Sequence, residues 1–180
     1  MTLEYGHRIQ RSMPEDWVKP IENSIEGIRN GMLQFDGVEF DLRLTTDGEL
    51  VLFHDNHLSK QQIEQIGGSK WTEDHTSDEL AELGIPLFDE LLSNDVFTNA
   101  WLEHGKVACV ELKMPHPNSK IAGSVSPRKR GKHARAIAKL TNSMLNEVGL
   151  EHTNVVIFSF KRRFRHACAR ANVNWPVAQL

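Results

Sequence analysis

The sequence predicts an α/β protein whose chemistry gathers at strand ends. Three observations carry that expectation. Residues 38–44 alternate apolar and polar with period two, and run through the Asp47-Gly48 turn signal into a second strand at 49–53. Two further runs, 106–114 and 154–160, repeat the strand signal, and segments of helical character separate them. Charged residues fall toward the ends of these strands, as they do in a parallel α/β barrel or an open sheet with its site at the carboxyl ends.

Each element has a local reason. Asn23-Ser24-Ile25-Glu26 offers the polar start and following acid that open a helix, and Ile25, Ile28 and Met32 or Leu33 continue an apolar stripe. Residues 56–85 are polar and read as irregular, with one helical piece from Ser77 to Leu83. Pro86 stands where a helix can begin with Leu87, Leu91 and Leu92. In 106–114, positions 107, 109, 111 and 113 share a face, which sets Glu111 beside Lys113. From Pro115 to Lys132 the chain is rich in Pro, Ser, Gly and cations, so Arg128-Lys129-Arg130 reads as a solvated loop. A helix is expected from about His133 to Val148 on the stripe Ile137, Leu140, Met144, Leu145 and Val148. Another is expected around Phe164, Ala167, Cys168 and Ala171, and residues 175–180 look like the first part of a sixth strand.

Composition limits the function classes. With 180 residues, 39% hydrophobic and 25% charged, the chain has apolar material for one sizeable core and reads as one domain. A net charge of -3 argues against a dedicated nucleic-acid binder, which needs a basic excess to displace counterions from phosphates. No apolar run approaches the roughly 20 residues that cross a bilayer, and the start lacks a signal-peptide core, so a cytoplasmic protein without a stable membrane span is expected. Cys109 and Cys168 lie in apolar segments without metal-like pairing and are expected to be buried free thiols.

Glu39 and Asp41 occupy the polar face of a strand whose Val38, Phe40 and Leu42 face a core; acids in that setting call for a ligand. Together with Glu111 they make three carboxylates from two strands, a donor set that suits a hard cation such as Mg²⁺ or Ca²⁺ better than Zn²⁺. Seven histidines, at 57, 75, 104, 116, 133, 152 and 166, have no patterned neighbours and read as surface residues. His7, beside Arg8, and His54, beside Asp55, differ: an imidazole there can exchange protons near neutral pH while an adjacent cation or metal holds a phosphate. For Asp55, capping the next turn and a catalytic role weigh equally. Arg43 shares the face of Glu39 and Asp41 and reads as a strand-end or salt-bridge residue.

Taken in order, these residues resemble the glycerophosphodiester phosphodiesterase family. Its His-Arg start appears as His7-Arg8, its Pro-Glu-Asn-Thr element as Ile21-Glu22-Asn23-Ser24, and its Glu-x-Asp strand with Thr-x-Asp-Gly as Glu39-Phe40-Asp41 and Thr46-Asp47-Gly48. The His-Asp pair is His54-Asp55 and the Glu-x-Lys strand is Glu111-Leu112-Lys113. The segment 85–92 and Phe158-Ser159-Phe160 also look like family segments. Ile9 stands where the family has glycine, and Ile21 and Ser24 replace its proline and threonine.

The resemblance implies a TIM (β/α)₈-type barrel with a divalent cation, Mg²⁺ or Ca²⁺, at its carboxyl face. It implies Glu39, Asp41 and Glu111 as metal ligands, His7 and His54 as the acid/base pair, and Arg8 and Lys113 as phosphate contacts. It further implies hydrolysis of small glycerophosphodiesters to glycerol 3-phosphate and an alcohol, with the substrate's own glycerol hydroxyl as nucleophile. A complete barrel takes roughly 250 residues, so a single domain over 1–180 is expected to be incomplete at its C-terminal end: a fragment, or a shortened relative that closes through a partner. Two alternatives stand beside hydrolysis: a phospholipase D-like lyase acting on lysolipid or sphingomyelin, and a non-catalytic binding module.

Overall fold

The computed structural model describes residues 5–7, 21–103, 105–121, 127–149, 154–161 and 163–179. Strands β1 (Tyr5–His7), β2 (Gly37–Leu44), β4 (Val107–Leu112), β5 (Val155–Ser159) and β6 (Val177–Gln179) form a parallel sheet in that spatial order, and β3 (Leu50–Leu52) pairs antiparallel with β2. The Asp47-Gly48 corner works as expected: Gly48 adopts φ +92, where a side chain is disfavoured, and Thr45 closes the turn by bonding Glu49 through both backbone and hydroxyl.

Every residue of β2 is buried. Val38, Phe40 and Leu42 are fully excluded from solvent and face the helices, joining Ile28, Met32, Phe88, Phe97 and Trp101 in one core. Glu39, Asp41 and Arg43 are turned to the opposite face. Burial of each large apolar side chain contributes about 1.5–3 kcal/mol, and that energy is what holds a strand with three charged groups on its other face.

Helices follow local signals. In α1 (Ile25–Gln34), Ser24 caps the first turn by accepting from the Gly27 amide at 3.1 Å, and Ile28 and Met32 are buried while Leu33 is exposed. Two helices in stretches where the sequence predicts none are present. Helix α2 (Lys60–Ile66) lies within the segment expected to be irregular and is opened by a Ser59/Gln62 capping box. Its Ile63 and Ile66 pack partly buried against a small second cluster of Val51, Leu58, Leu80 and Ile85. Helix α5 (Asp95–Glu103) is set by Asn94, whose side-chain Oδ1 accepts from the Phe97 amide, and by buried Phe97, Ala100 and Trp101. Helix α3 (Ser77–Ala81) is shorter than expected, and α4 (Phe88–Leu92) lies where Pro86 allows.

The loop expected through Lys132 is a correction. Helix α6 runs Pro127–Glu147, so Arg128-Lys129-Arg130 are helical; proline at the first helical position lacks only an amide that would go unbonded there. Helix α7 spans Arg163–Arg170 and packs on α6. Among the described residues no helix is long and apolar enough to cross a membrane. Cys168 is buried as expected; Cys109 is only half-buried, in register with Glu39 on the same face.

The surface expectation holds for His57 and His166 and fails for two other histidines, while His104 and His152 lie outside the described residues. His116 is partly covered, stacked on Trp71 with ring centroids 3.7 Å apart. His75 is buried because its Nε2 bonds the Ser69 carbonyl at 2.6 Å and its Nδ1 faces Glu79 at 3.3 Å, tying together the segment before α3. His133, on the inner face of α6, is also buried, and burial followed by the charge of Arg43 pushes its pKa down to about 4. The unfolded chain therefore takes a proton that the folded chain refuses between about pH 6.5 and pH 4. Stability from this group is present above pH 6.5 and is lost as pH falls, by about 1.4 kcal/mol per pH unit. Urea unfolding at pH 7 and pH 5 should show about 2 kcal/mol of acid loss that His133→Gln abolishes; an unchanged pH dependence in the variant would contradict the assignment.

Candidate functional site

The parallel register of β2 and β4 sets Asp41 opposite Glu111 and Glu39 opposite Cys109, so residues two apart on each strand meet on one face. Oxygens of Glu39, Asp41 and Glu111 lie within 4.8 Å of one another, and all three residues are buried. Lys113 continues that face beyond β4: its Nζ is 2.7 Å from Glu111 Oε2 and 3.0 Å from Asp41 Oδ1. Burial raises the Glu111 pKa and the bond from Lys113 opposes that rise. Cys109 stays a neutral thiol, pushed up to about 11 by burial and then by the charge of Glu39. The charged donors are therefore oxygens, and they fit a hard divalent cation.

Asp41 is fixed by a residue from another element. Asn23, just before α1, holds φ +56, a left-handed conformation that asparagine tolerates better than most residues, and is buried. Its Nδ2 donates to Asp41 Oδ2 at 2.9 Å, and its Oδ1 accepts from the Asp41 amide at 3.1 Å. Neither alternation nor charge pointed to Asn23; its place in the Ile21-Glu22-Asn23-Ser24 element was the available signal.

His54 reaches the same face because β3 turns back along β2. The pairing Leu42↔Leu52 places Phe53 where its amide donates to the Asp41 carbonyl at 3.2 Å, and His54 follows. The ring is partly open to solvent, and its Nδ1 lies 2.7 Å from Asp55 Oδ1. With Nδ1–H donated to that carboxylate, Nε2 is left to exchange protons. Asp55 thus orients the ring, while its backbone carbonyl accepts from the Thr72 hydroxyl at 3.0 Å.

Arg43 is a salt-bridge residue, and its contacts reach His54. It forms a buried ion pair with Glu73 and donates from Nε to the His54 carbonyl at 3.1 Å, with a second bond from Nη2 to that oxygen. Burial lowers the Arg43 pKa and raises that of Glu73, each opposed by the attraction of its partner. Glu73 comes from the 3₁₀ turn Thr72–Asp74, thirty positions along the chain, and sequence spacing gave no sign of the pairing.

Of the seven residues expected from sequence, the structure brings Glu39, Asp41, Glu111 and Lys113 into direct proximity and sets His54 beside them. His7 ends β1 at the register position of Glu39; Arg8 lies outside the described residues.

Residues 8–180 match the model of the glycerophosphoryl diester phosphodiesterase family. The chain belongs to that family. A glycerophosphodiester phosphodiesterase of Bacillus subtilis is 26% identical over 159 residues, which are 82% of this chain and 50% of that protein. Among solved structures, a glycerophosphoryl diester phosphodiesterase from Silicibacter pomeroyi aligns with TM-score 0.66 at 18% identity over 97% of this chain and 63% of its own. A phosphodiesterase of Oleispira antarctica, solved with the product sn-glycerol-3-phosphate, aligns with TM-score 0.61 at 20% identity over 98% of this chain and 65% of its own. The fold is that of the family's TIM barrel, of which the parallel sheet here is an incomplete part. The chain spans about half the length of the curated relative and under two thirds of these two structures.

Proposed function

We propose that this face hydrolyses small glycerophosphodiesters, releasing glycerol 3-phosphate and an alcohol, with a divalent cation held by Glu39, Asp41 and Glu111. The observation that carries the proposal is the group of three buried carboxylates from two strands, their oxygens within 4.8 Å, with His54 on the same face. Family membership and the product found with the Oleispira relative support the substrate class. A cation bound there would neutralise charge on the non-bridging phosphate oxygens.

The chain's own residues account for the rest. Lys113, now spanning Asp41 and Glu111, holds the carboxylates close; with a divalent cation between them its ammonium would be released toward the substrate phosphate. Arg8 is proposed as the second phosphate contact. His54, its Nδ1 tied to Asp55, moves a proton at Nε2, to the departing alkoxide or from the attacking hydroxyl, and His7 is proposed for the complementary transfer.

Titration with Mg²⁺, Ca²⁺ and Mn²⁺ by calorimetry tests the metal assignment. Asp41→Asn should abolish binding. Asn23→Gly, which keeps the left-handed backbone and deletes the amide that orients Asp41, should weaken it by about 10-fold or more. Wild-type affinity in Asp41→Asn would remove the ground for the proposal.

A further inference from the structure

The net charge of -3 conceals a strong segregation. Residues 112–180 carry thirteen lysines and arginines against two acids, Glu147 and Glu151, whereas residues 1–111 carry eight cations against twenty-two acids. The basic part contains β5, β6 and the helices α6 and α7, which pack on each other.

Within that part the two helices leave a cleft of about 370 Å³, lined by Arg130 and Arg135 from α6 and by Arg163, His166 and Arg170 from α7. The spacing makes it: 130 and 134, and 163, 166 and 170, are positions that share a helix face. Gly131, Ala134 and Ala167 also line it, at positions where larger side chains would take up space. The Arg135 guanidinium lies over Gly131, 3.9 Å from where a Cβ would stand. Among the described residues no carboxylate lines the cleft and none of the five basic side chains makes an ion pair. The Nε of Arg130 is buried without a hydrogen-bond partner among the described residues. Four arginines lining one cleft, with no acid of the described residues among them, repel one another, and an anion bound there would offset that repulsion.

We propose that the α6–α7 cleft is a second, anion-binding site that takes a phosphate-bearing group, distinct from the carboxylate face. Planar guanidinium forks match phosphate oxygens in pairs, and the volume suits a phosphomonoester or diphosphate with part of its carrier. Met114, next after Lys113, contributes to the wall, so the cleft opens alongside the carboxyl end of β4. The same chemistry serves a soluble phosphate ester or an anionic lipid head group.

Calorimetric titration with pyrophosphate at fixed ionic strength, in EDTA so that no divalent cation mediates, tests the site. Saturable one-to-one binding is expected. Arg163→Gln/Arg170→Gln, both exposed residues, should weaken it by about tenfold or more. Lys129→Gln/Lys139→Gln removes equal charge from the exposed face of α6 and should change it by less than about twofold. Lack of saturable binding, equal weakening in the two pairs, or weakening by Lys113→Gln instead would overturn the proposal. Flotation with phosphatidylcholine vesicles, with and without phosphatidic acid, separates the sources. Flotation that needs phosphatidic acid and is lost in the cleft pair points to a lipid phosphate, and pyrophosphate binding without flotation points to a soluble ester. Flotation that survives in the cleft pair contradicts a cleft site.

Discussion

His54→Ala is expected to lower turnover of glycerophosphocholine by about 10²–10⁴-fold while leaving divalent-cation affinity and the unfolding midpoint near their wild-type values. The three readouts separate because of where the residue sits. Its ring is partly exposed and outside the carboxylate group, so neither the core nor the proposed metal ligands lose a contact. What is lost is the imidazole whose Nδ1 is fixed by Asp55 and whose Nε2 is placed to move a proton. Turnover within tenfold of wild type would show that proton transfer at this face belongs to another group.

The second large effect is on folding. Arg43→Met strands Glu73 as a buried acid without its partner, and loss of one member of such a pair costs about 3–5 kcal/mol. Both side chains are nearly inaccessible, at 5% and 1% exposure, so solvent screening does not reduce that cost. Arg43→Met/Glu73→Leu removes both charges and should recover most of the stability, since an apolar replacement of a buried pair is often close to neutral. Turnover should not recover: the His54 carbonyl loses the donors that hold it, and a drop of about tenfold in kcat is expected with little change in divalent affinity. Full recovery of turnover in the double variant would make Arg43 a stability residue only.

These two cases show what the sequence could and could not convey. Alternation in residues 37–44 was legible because side chains on a strand change face at each step, and the same rule put Glu111 beside Lys113. That β2 and β4 are neighbours, which brings Asp41 opposite Glu111, followed from order only through the βα pattern and the resemblance. Arg43 and Glu73 meet through a fold of the segment after β3, a contact with no periodic signature. His75 and His133 looked like surface residues because burial of a lone histidine depends on what packs over it. Helices α2 and α5 did carry local signals, in Ser59/Gln62 and in Asn94 with Phe97, Ala100 and Trp101, which the polar composition around α2 and the strand after α5 obscured. Whole-chain charge carries no position: -3 is the balance of two oppositely charged parts, and the packing of α6 on α7 gives the basic part a cleft that composition does not show.

Glu39, Asp41 and Glu111 are proposed to hold a divalent cation that phosphodiester hydrolysis requires. Release of glycerol 3-phosphate from glycerophosphocholine, measured before EDTA, after EDTA, and after restoring Mg²⁺, Ca²⁺ or Mn²⁺ in excess, tests it most directly. Activity that disappears with chelation and returns with at least one of these cations is the expected result, and activity that EDTA leaves unchanged would show that the three carboxylates serve hydrolysis without a metal.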